Sequence, residues 1–500
     1  MVPDAIAALL SHEASRRMGM SPESASRTGR PIGVEELLPI LCPSPALATL
    51  VDPLALEARF GRATDRAELL AQARQVLAEK IDASTLERMS SHPDRLFPLF
   101  VDIELGCAVN WEDLAAVEHE GHDDHEAMAR TISVIIDALG DEDHHADADS
   151  RKCLDRLAEL ALGSPATCAL RALARVCPEL DSDDPELLGA AMAIALGFRS
   201  LYNQPESRAL LEENSPVNYW RLILTHASNH DLQAVLDEYL HLLVEAERAE
   251  QYAPGERAHL IASKLIEVVA LRPAQITLDH WTAGRSRLHD ETFEVRARFA
   301  MRFATHAEEE KGIRRTALVQ AAFKSPFRPF VLASTSIGQE GLDFHPYCAR
   351  IVHWNLPRNP VDIEQREGRV HRFKNHAVRR NVAAVQGGTA EMLPEQGSHW
   401  TAMFAAAQAN EIASGGAGDI IPYWIYPGDA KIERVVLMPP FSREFERYDN
   451  LKKSLATYRL AFGQPRQDEL IELFSGMTEE EIAELSSLQL SLRPPANAEG

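Results

Sequence analysis

Gln365, Arg369 and Arg372 have the residue types and the spacing that suit chemistry on a phosphate group. They lie four and three residues apart, so on a helix they share one face, with Gly368 leaving space beside them. A guanidinium group stays charged and offers a planar fork of donors, which matches phosphate oxygens. A solvated basic face is the alternative interpretation of two arginines at this spacing taken alone.

The elements that must position these side chains can be predicted from their flanks. Asn359 is a favourable N-cap and Pro360 suits the first helical position, so the helix should begin there. Upstream, the apolar segment PFVLAS (residues 329–334) predicts a buried parallel strand, and RIVHWNL (residues 350–356) predicts a second strand. The pattern is therefore strand, loop, strand and helix.

The loop between the two predicted strands is rich in small and hydroxyl residues. Gly338 and Gly341 let the backbone approach a phosphate closely, and the hydroxyl groups of Thr335 and Ser336 can donate hydrogen bonds to it. Ligands of open α/β sheets bind at the carboxyl ends of the strands. The loop is therefore a candidate phosphate-binding element.

Together these elements resemble motifs V and VI of superfamily 2 helicases and the related Swi/Snf-type translocases. The resemblance lies in the order of the loop STSIGQEGLD, the strand RIVHWNLP and the helix QREGRVHR, whose Q-x-x-G-R-x-x-R form is that of motif VI. It covers a second RecA-like lobe from roughly residue 260 to residue 390. A lobe of this kind acts in a nucleic-acid-dependent ATPase.

The resemblance implies a role for each matching residue. Arg369 and Arg372 correspond to the catalytic arginine fingers that reach the γ-phosphate of ATP. An arginine finger stabilises charge on the transferring phosphoryl group and raises the rate about 10³- to 10⁵-fold. The residues implied to bind the nucleotide are Gln365, Gly368, Gly341 and Asp343. The residues implied to touch the nucleic-acid backbone are Thr335, Ser336 and Gly338.

The other half of such a motor is not evident in the sequence. A phosphate-binding loop of the form G-x-x-x-x-G-K-[ST] needs a Gly-Lys dipeptide, and the chain contains none. The acidic magnesium motif is imitated by VLDEYL at Asp237 and Glu238, inside an amphipathic helical pattern, and by GDEDH at residues 140–144, in an acidic loop. We expect neither to bind magnesium, and no metal site is predicted.

We therefore expect ATP and Mg²⁺ to bind only in a composite site, completed by a separate polypeptide that carries the Walker A and DExH lobe. Alone, the chain should bind no cofactor and hydrolyse ATP negligibly. The alternatives are a non-catalytic interaction scaffold, or the relic of a helicase whose gene has been truncated.

The charge distribution points to a focused phosphate site. The net charge of −24 argues against non-specific coating of nucleic acid. Between residues 350 and 380, however, eight Arg and Lys residues face three Asp and Glu residues. The resemblance to helicases and translocases implies DNA as the expected partner, with RNA as an alternative.

The predicted fold class is α/β, with a RecA-like parallel-sheet lobe preceded by a large α-helical region and followed by a helical C-terminal extension. Strands are expected at IEVVAL (residues 266–271), AQITLDHW (residues 274–281) and NVAAVQ (residues 381–386), with a charged helix over about 291–322. The expected segments are 1–150 (α-helical, with an acidic and histidine-rich loop), 151–255 (α-helical), 256–390 (the RecA-like lobe) and 391–500 (the extension).

The remaining chemistry-bearing residues predict no site. Six cysteines without a CxxC pair indicate reduced, mostly buried thiols. His119, His122 and His125 could ligate a transition metal, but a solvated acidic loop is the preferred interpretation. No apolar run approaches the roughly 20 residues of a membrane helix, and no secretory signal is evident. We expect a cytoplasmic protein without a membrane partner.

Overall fold

A computed structural model describes most of the helical and sheet regions of the chain. The described ranges are 38–90, 150–204, 219–271, 274–279, 292–297, 317–327, 329–333, 343–357, 359–387, 398–415, 420–438 and 444–462, with single residues elsewhere. The predicted loop at residues 334–342 and the acidic, histidine-rich segment at residues 118–145 lie outside these ranges, so their predictions stay predictions.

The described chain up to residue 271 is helical, which agrees with the sequence except at residues 266–271, where a strand was expected. Five of the described helices follow a Ser or Asp whose side chain accepts a hydrogen bond from the first turn, and several begin with proline. In chain order the helices are α1 Leu38–Leu41, α2 Pro45–Leu50, α3 Pro53–Phe60, α4 Arg66–Lys80, α5 Ala83–Ser90, α6 Ser150–Gly163, α7 Pro165–Val176, α8 Pro185–Tyr202, α9 Tyr219–Asn229, α10 Leu232–Glu247 and α11 Pro254–Val269.

Close helix packing explains two glycines of this region. A Cβ atom at Gly197 in α8 would lie 2.8 Å from Cγ2 of Val269 in α11, and one at Gly163 in α6 would lie 2.3 Å from the carbonyl oxygen of Leu224 in α9. Glycine therefore allows these helix pairs to approach, because any larger side chain would overlap its neighbour.

A buried polar network accounts for the sequence VLDEYL. Asp237 lies in α10, where Arg175 and Gln233 donate hydrogen bonds to its carboxylate, and Arg175 also contacts Asp52 at 2.6 Å. Burial raises the pKa of Asp237, although the Arg175 guanidinium opposes that rise. The helical position and the ion pairs confirm that this segment is not the end of a buried strand.

The second half of the described chain contains two small sheets. Strand β1 (Ala274–Asp279) pairs antiparallel with β2 (Thr292–Ala297), and β3 (Arg350–His353) pairs parallel with β4 (Glu433–Val436). In the parallel pair Arg350 is opposite Glu433. The helices of this half are α12 Pro360–Gly368, α13 His376–Gln386, α14 His399–Ala413 and α15 Glu444–Phe462, and residues 317–323 are also helical.

Three of the predicted elements are wrong. IEVVAL forms the end of α11, because buried Ile261, Leu265 and Val268 continue the helical spacing that begins at Pro254. NVAAVQ lies in α13. Residues 292–297 form strand β2, although a charged helix was predicted over about 291–322. Among the other described residues of that range, 317–322 are helical, as predicted.

The predicted buried strand at PFVLAS is also wrong for the residues that the structure describes. Residues 329–333 have no regular secondary structure, and Phe330 and Val331 are 73% and 66% exposed. The chain turns just before them, where the Ser325 hydroxyl donates to the carbonyl of Ala322 and accepts from the amide of Phe327. This turn ends the helical run, so the apolar residues that follow do not enter a sheet.

The chain forms two compact units. The first unit comprises residues 1–335 and 382–415, and the second comprises residues 336–381 and 416–500. Strand β4 comes from the predicted C-terminal extension and yet pairs with β3 inside the second unit. The described chain is thus mostly helical with one small parallel sheet, and the four consecutive segments expected from the sequence stay predictions. Within the described ranges, none of the helices is both long and apolar enough to cross a membrane.

Candidate nucleotide and nucleic-acid site

Helix α12 starts where the sequence predicts. The side chain of Asn359 accepts a hydrogen bond from the amide of Val361 at 3.1 Å, and Pro360 occupies the first turn. Ile363 is buried against Leu356 and against Leu451 of α15, so one side of α12 belongs to a hydrophobic core. The opposite side carries the exposed Gln365. The predicted helix and its polar face are therefore both observed.

The helix ends one residue before the first predicted finger. α12 stops at Gly368, and Arg369 is its C-cap, with φ −75° and ψ −22°. Arg372 lies in the turn that follows. The prediction that one helical face carries Gln365, Arg369 and Arg372 is therefore wrong for Arg372, because the helix does not extend to it.

A buried ion pair at Glu367 holds the end of α12 against the parallel sheet. Both carboxylate oxygens of Glu367 accept hydrogen bonds from Arg434 of β4, at 2.6 Å each, and Nε2 of His353 in β3 lies 3.3 Å from Oε1. Burial alone would raise the pKa of Glu367, but the hydrogen bonds from His353 and Arg434 outweigh it and hold the pKa at about 2. Glu367 therefore remains a carboxylate near neutral pH.

The predicted motif V and motif VI segments meet after α12. The amide of Phe344 donates to the carbonyl of Arg369 at 2.9 Å, and Nε of Arg372 donates to Oδ1 of Asp343 at 3.0 Å. Both side chains of the Asp343–Arg372 pair are nearly half exposed. The structure thus brings together one predicted nucleotide-binding residue and one predicted finger.

The second unit also has an aromatic and basic turn that the sequence reading missed. The rings of Phe373 and Tyr423 stack with centroids 5.3 Å apart, and Trp424 meets Phe373 edge-on at 6.1 Å. Nζ of Lys374 lies 5.5 Å and 5.9 Å from the centroids of Phe373 and Tyr423. The aromatic stretch PYWIYP was the only sign of this cluster in the sequence, and nothing there links it to Phe373.

Residues 289–374 match the family model described as "Helicase conserved C-terminal domain". The matched residues include Asp343, Gln365, Gly368, Arg369 and Arg372, so the helicase domain match covers the predicted motif VI in full. The chain therefore carries a segment of the helicase C-terminal domain type, and nucleic-acid binding is a general property of such domains. No curated protein and no solved structure matches the chain.

Four of the predicted site residues, Thr335, Ser336, Gly338 and Gly341, lie outside the described ranges, so their roles stay predictions. Gly368 is described, and no described atom lies within 4 Å of the position that a Cβ would take there. Apart from its chain neighbours and its own helix, no described residue fills the space beside Gly368, and its role in nucleotide binding stays a prediction.

The basic island predicted at residues 350–380 is partly neutralised. Arg350 forms an exposed ion pair with Glu433. Arg379 is buried and donates to the carbonyl oxygens of Lys374 and Pro346, so it serves the fold. Arg380 is exposed. The cations left at the surface next to α12 and the aromatic turn are therefore fewer than the sequence suggests.

The described cysteines and acids offer no second site. Cys153, Cys168 and Cys177 are buried free thiols, and burial raises the pKa of Cys153 and Cys177 to about 12, which suppresses the reactive thiolate. Within the part of the chain that the structure describes, no group of three or more His, Cys, Asp and Glu side chains is arranged to hold a metal ion.

Proposed function

We propose that this chain supplies the second, RecA-like lobe of a superfamily 2 helicase or Swi/Snf-type translocase. In this proposal ATP and Mg²⁺ bind in a composite site, and a separate polypeptide contributes the Walker A loop and the DExH motif. DNA is the proposed nucleic-acid partner, with RNA as the alternative. The observation that carries the proposal is the helicase C-terminal domain match at residues 289–374, which contains Arg369 and Arg372.

The contact between Asp343 and Arg372 supports a nucleotide site at this position. These residues come from the two segments that resemble motifs V and VI, and they meet at 3.0 Å. An exposed ion pair of this kind contributes only about 0–1 kcal/mol, so a bound triphosphate can take over the guanidinium at little cost. Asp343 then holds Arg372 in place until the γ-phosphate arrives.

The proposed chemistry is charge stabilisation. The guanidinium groups of Arg369 and Arg372 are proposed to donate hydrogen bonds to the oxygens of the transferring phosphoryl group. Their positions depend on the turn after α12, which the Phe344–Arg369 hydrogen bond and the Glu367 ion pair both restrain. Gln365 is exposed on α12 and is proposed to line the nucleotide cleft with Gly368, Gly341 and Asp343.

The nucleic-acid contacts proposed for this lobe come from its loop. Thr335, Ser336 and Gly338 are proposed to hold the sugar-phosphate backbone through hydroxyl and amide donors. Coupling between this binding of the nucleic-acid backbone and ATP hydrolysis would make the composite enzyme a motor. The chain alone is proposed to hydrolyse ATP negligibly, because no Gly-Lys dipeptide is present to hold the phosphates.

The proposal is tested with the reconstituted pair. The second polypeptide is the one that co-purifies with the tagged chain and contains a Walker A sequence by mass spectrometry. Arg369→Ala and Arg372→Ala should each lower the DNA-stimulated ATPase of the pair steeply, towards the ~10³-fold loss of an arginine finger, with DNA affinity largely unchanged.

Arg350→Ala is the matched control, because Arg350 is an exposed, ion-paired arginine of the same basic island. Its ATPase should equal that of the wild type. Equal activity in all three variants would overturn the finger assignment and would favour the alternative of an interaction scaffold or a helicase relic.

A further inference from the structure

We propose that Phe373, Tyr423 and Trp424, with Lys374, form a platform on which an unpaired nucleobase of single-stranded nucleic acid stacks. This inference deepens the proposed function, because it names the form of nucleic acid that the second unit would bind. The residues concerned, called the aromatic platform below, all belong to the second unit.

The platform is exposed where an ordinary aromatic cluster would be buried. Phe373 is 45% exposed and Trp424 is 47% exposed, although the two rings contact each other. Small-molecule pockets enclose most of a ligand in a concave site, whereas strand-binding surfaces present open rings to successive bases. The large exposed fraction therefore favours a nucleic-acid strand over a free nucleotide.

The backbone next to Phe373 has an unfavourable conformation that hydrogen bonds hold in place. Lys374 adopts a positive φ of 50°, a left-handed conformation that is unfavourable for a residue with a side chain. Its amide donates to the carbonyl of Tyr423 at 2.7 Å, its carbonyl accepts from Arg379 at 2.7 Å, and the side chain of Asn375 donates to the carbonyl of Arg372. A strained turn that is fixed by its surroundings is a common feature of ligand sites.

The segment that carries Tyr423 and Trp424 is also fixed in place. The side chain of Asn381 in α13 donates to the carbonyl oxygens of Tyr426 and Ala430, at 2.9 Å and 3.0 Å, and accepts from the amide of Ala430. These bonds anchor the segment that follows Trp424. Both aromatic segments are therefore preorganised, which limits the conformational entropy lost on binding.

The positive charge around the aromatic platform favours binding of a polyanion. Residues 368–386 contain no Asp or Glu, and neither do residues 420–428, although the chain as a whole carries a net charge of −24. Lys374 lies over two of the rings, and Arg380, which is exposed, belongs to the same stretch. Rings for the bases and cations for the phosphates are the combination that single-strand-binding proteins use. An apolar protein partner would not need this charge bias.

The test uses the full chain and a fluorescein-labelled oligothymidylate of about 20 nucleotides, with binding followed by fluorescence anisotropy. Phe373→Ala and Trp424→Ala should each weaken binding by about 10-fold or more, because each removes one stacking ring. Trp424→Phe should stay close to the wild type, since it keeps a ring. Tyr252→Ala is the matched control, because Tyr252 is an exposed aromatic residue (42%) of the first unit.

The outcomes separate this inference from the proposed function. Unchanged oligothymidylate affinity in the Phe373→Ala, Trp424→Ala double variant would overturn the platform, and so would a wild-type chain that does not bind the oligonucleotide. A duplex bound as tightly as the single strand, with equal losses in the variants, would also overturn it. None of these binding results depends on ATP hydrolysis. The proposed ATPase function is tested separately, by the Arg369→Ala and Arg372→Ala variants.

Discussion

Nε of Arg372 lies 3.0 Å from Oδ1 of Asp343, a residue 29 positions earlier in the chain. A backbone hydrogen bond from the Phe344 amide to the Arg369 carbonyl joins the same two segments of the chain. In the proposed motor, Arg372 must leave this carboxylate to reach a phosphate. The contact is therefore a resting position for the side chain.

Asp343→Asn should change activity more than stability. The Asp343–Arg372 pair is exposed, so its loss should lower the free energy of unfolding by less than about 1 kcal/mol. In the reconstituted pair the same variant should lower the DNA-stimulated ATPase, because Arg372 loses its positioning partner. Denaturant unfolding and steady-state ATPase assays check the two parts. A large loss of stability with normal ATPase would show that the pair is only structural.

Glu367→Ala should be strongly destabilising. It removes one partner of a buried ion pair and leaves Arg434 without its carboxylate, a change that costs about 3–5 kcal/mol in other proteins. Glu433→Ala is the control, since it breaks the exposed pair with Arg350 and should cost about 0–1 kcal/mol. Hydrogen exchange of peptides from residues 350–372 reports the difference. Similar exchange rates in both variants would contradict the role given to Glu367.

Lowering the pH should reduce the stability of the second unit, because Glu367 becomes protonated. The folded-state pKa of about 2 lies below the ordinary value of 4.5, so this carboxylate stabilises the folded state above pH 4.5. That contribution should be lost as the pH falls from about 4.5 towards 2. Glu367→Gln should remove this part of the pH dependence. Hydrogen exchange at several pH values checks it, and an unchanged acid profile in the variant would refute it.

Gly428→Ala should loosen the segment beside the aromatic platform. A Cβ at Gly428 would lie 2.4 Å from Oδ1 of Asn381, which already bonds the amide of Ala430. The overlap should break part of the Asn381 hydrogen bonding, at a cost of about 1–3 kcal/mol. Faster hydrogen exchange at residues 420–430 is the expected readout. Gly415→Ala lies outside the Asn381 network and serves as the comparison, and equal exchange of residues 420–430 in both variants would contradict the prediction.

Local signals in the sequence predicted the start of α12 and the helices of the first unit well. Asn359 and Pro360 predict the helix start because capping depends on neighbouring residues alone. The sequence did not predict that α12 ends at Gly368, nor that Glu367 meets Arg434, because that contact joins residues 67 positions apart. The Phe373–Tyr423 stack was missed for the same reason. The valine-rich ends of α11 and α13 look like strands locally, but their helical spacing and burial outweigh the β-branched residues.

The most direct test of the central proposal is DNA-stimulated ATP hydrolysis by the chain alone and by the chain with its Walker A partner. We predict negligible hydrolysis by the chain alone, clear hydrolysis by the pair, and loss of that activity with intact DNA binding in the Arg369→Ala, Arg372→Ala double variant. Vigorous hydrolysis by the chain alone, or an unchanged rate in the double variant, would contradict the account.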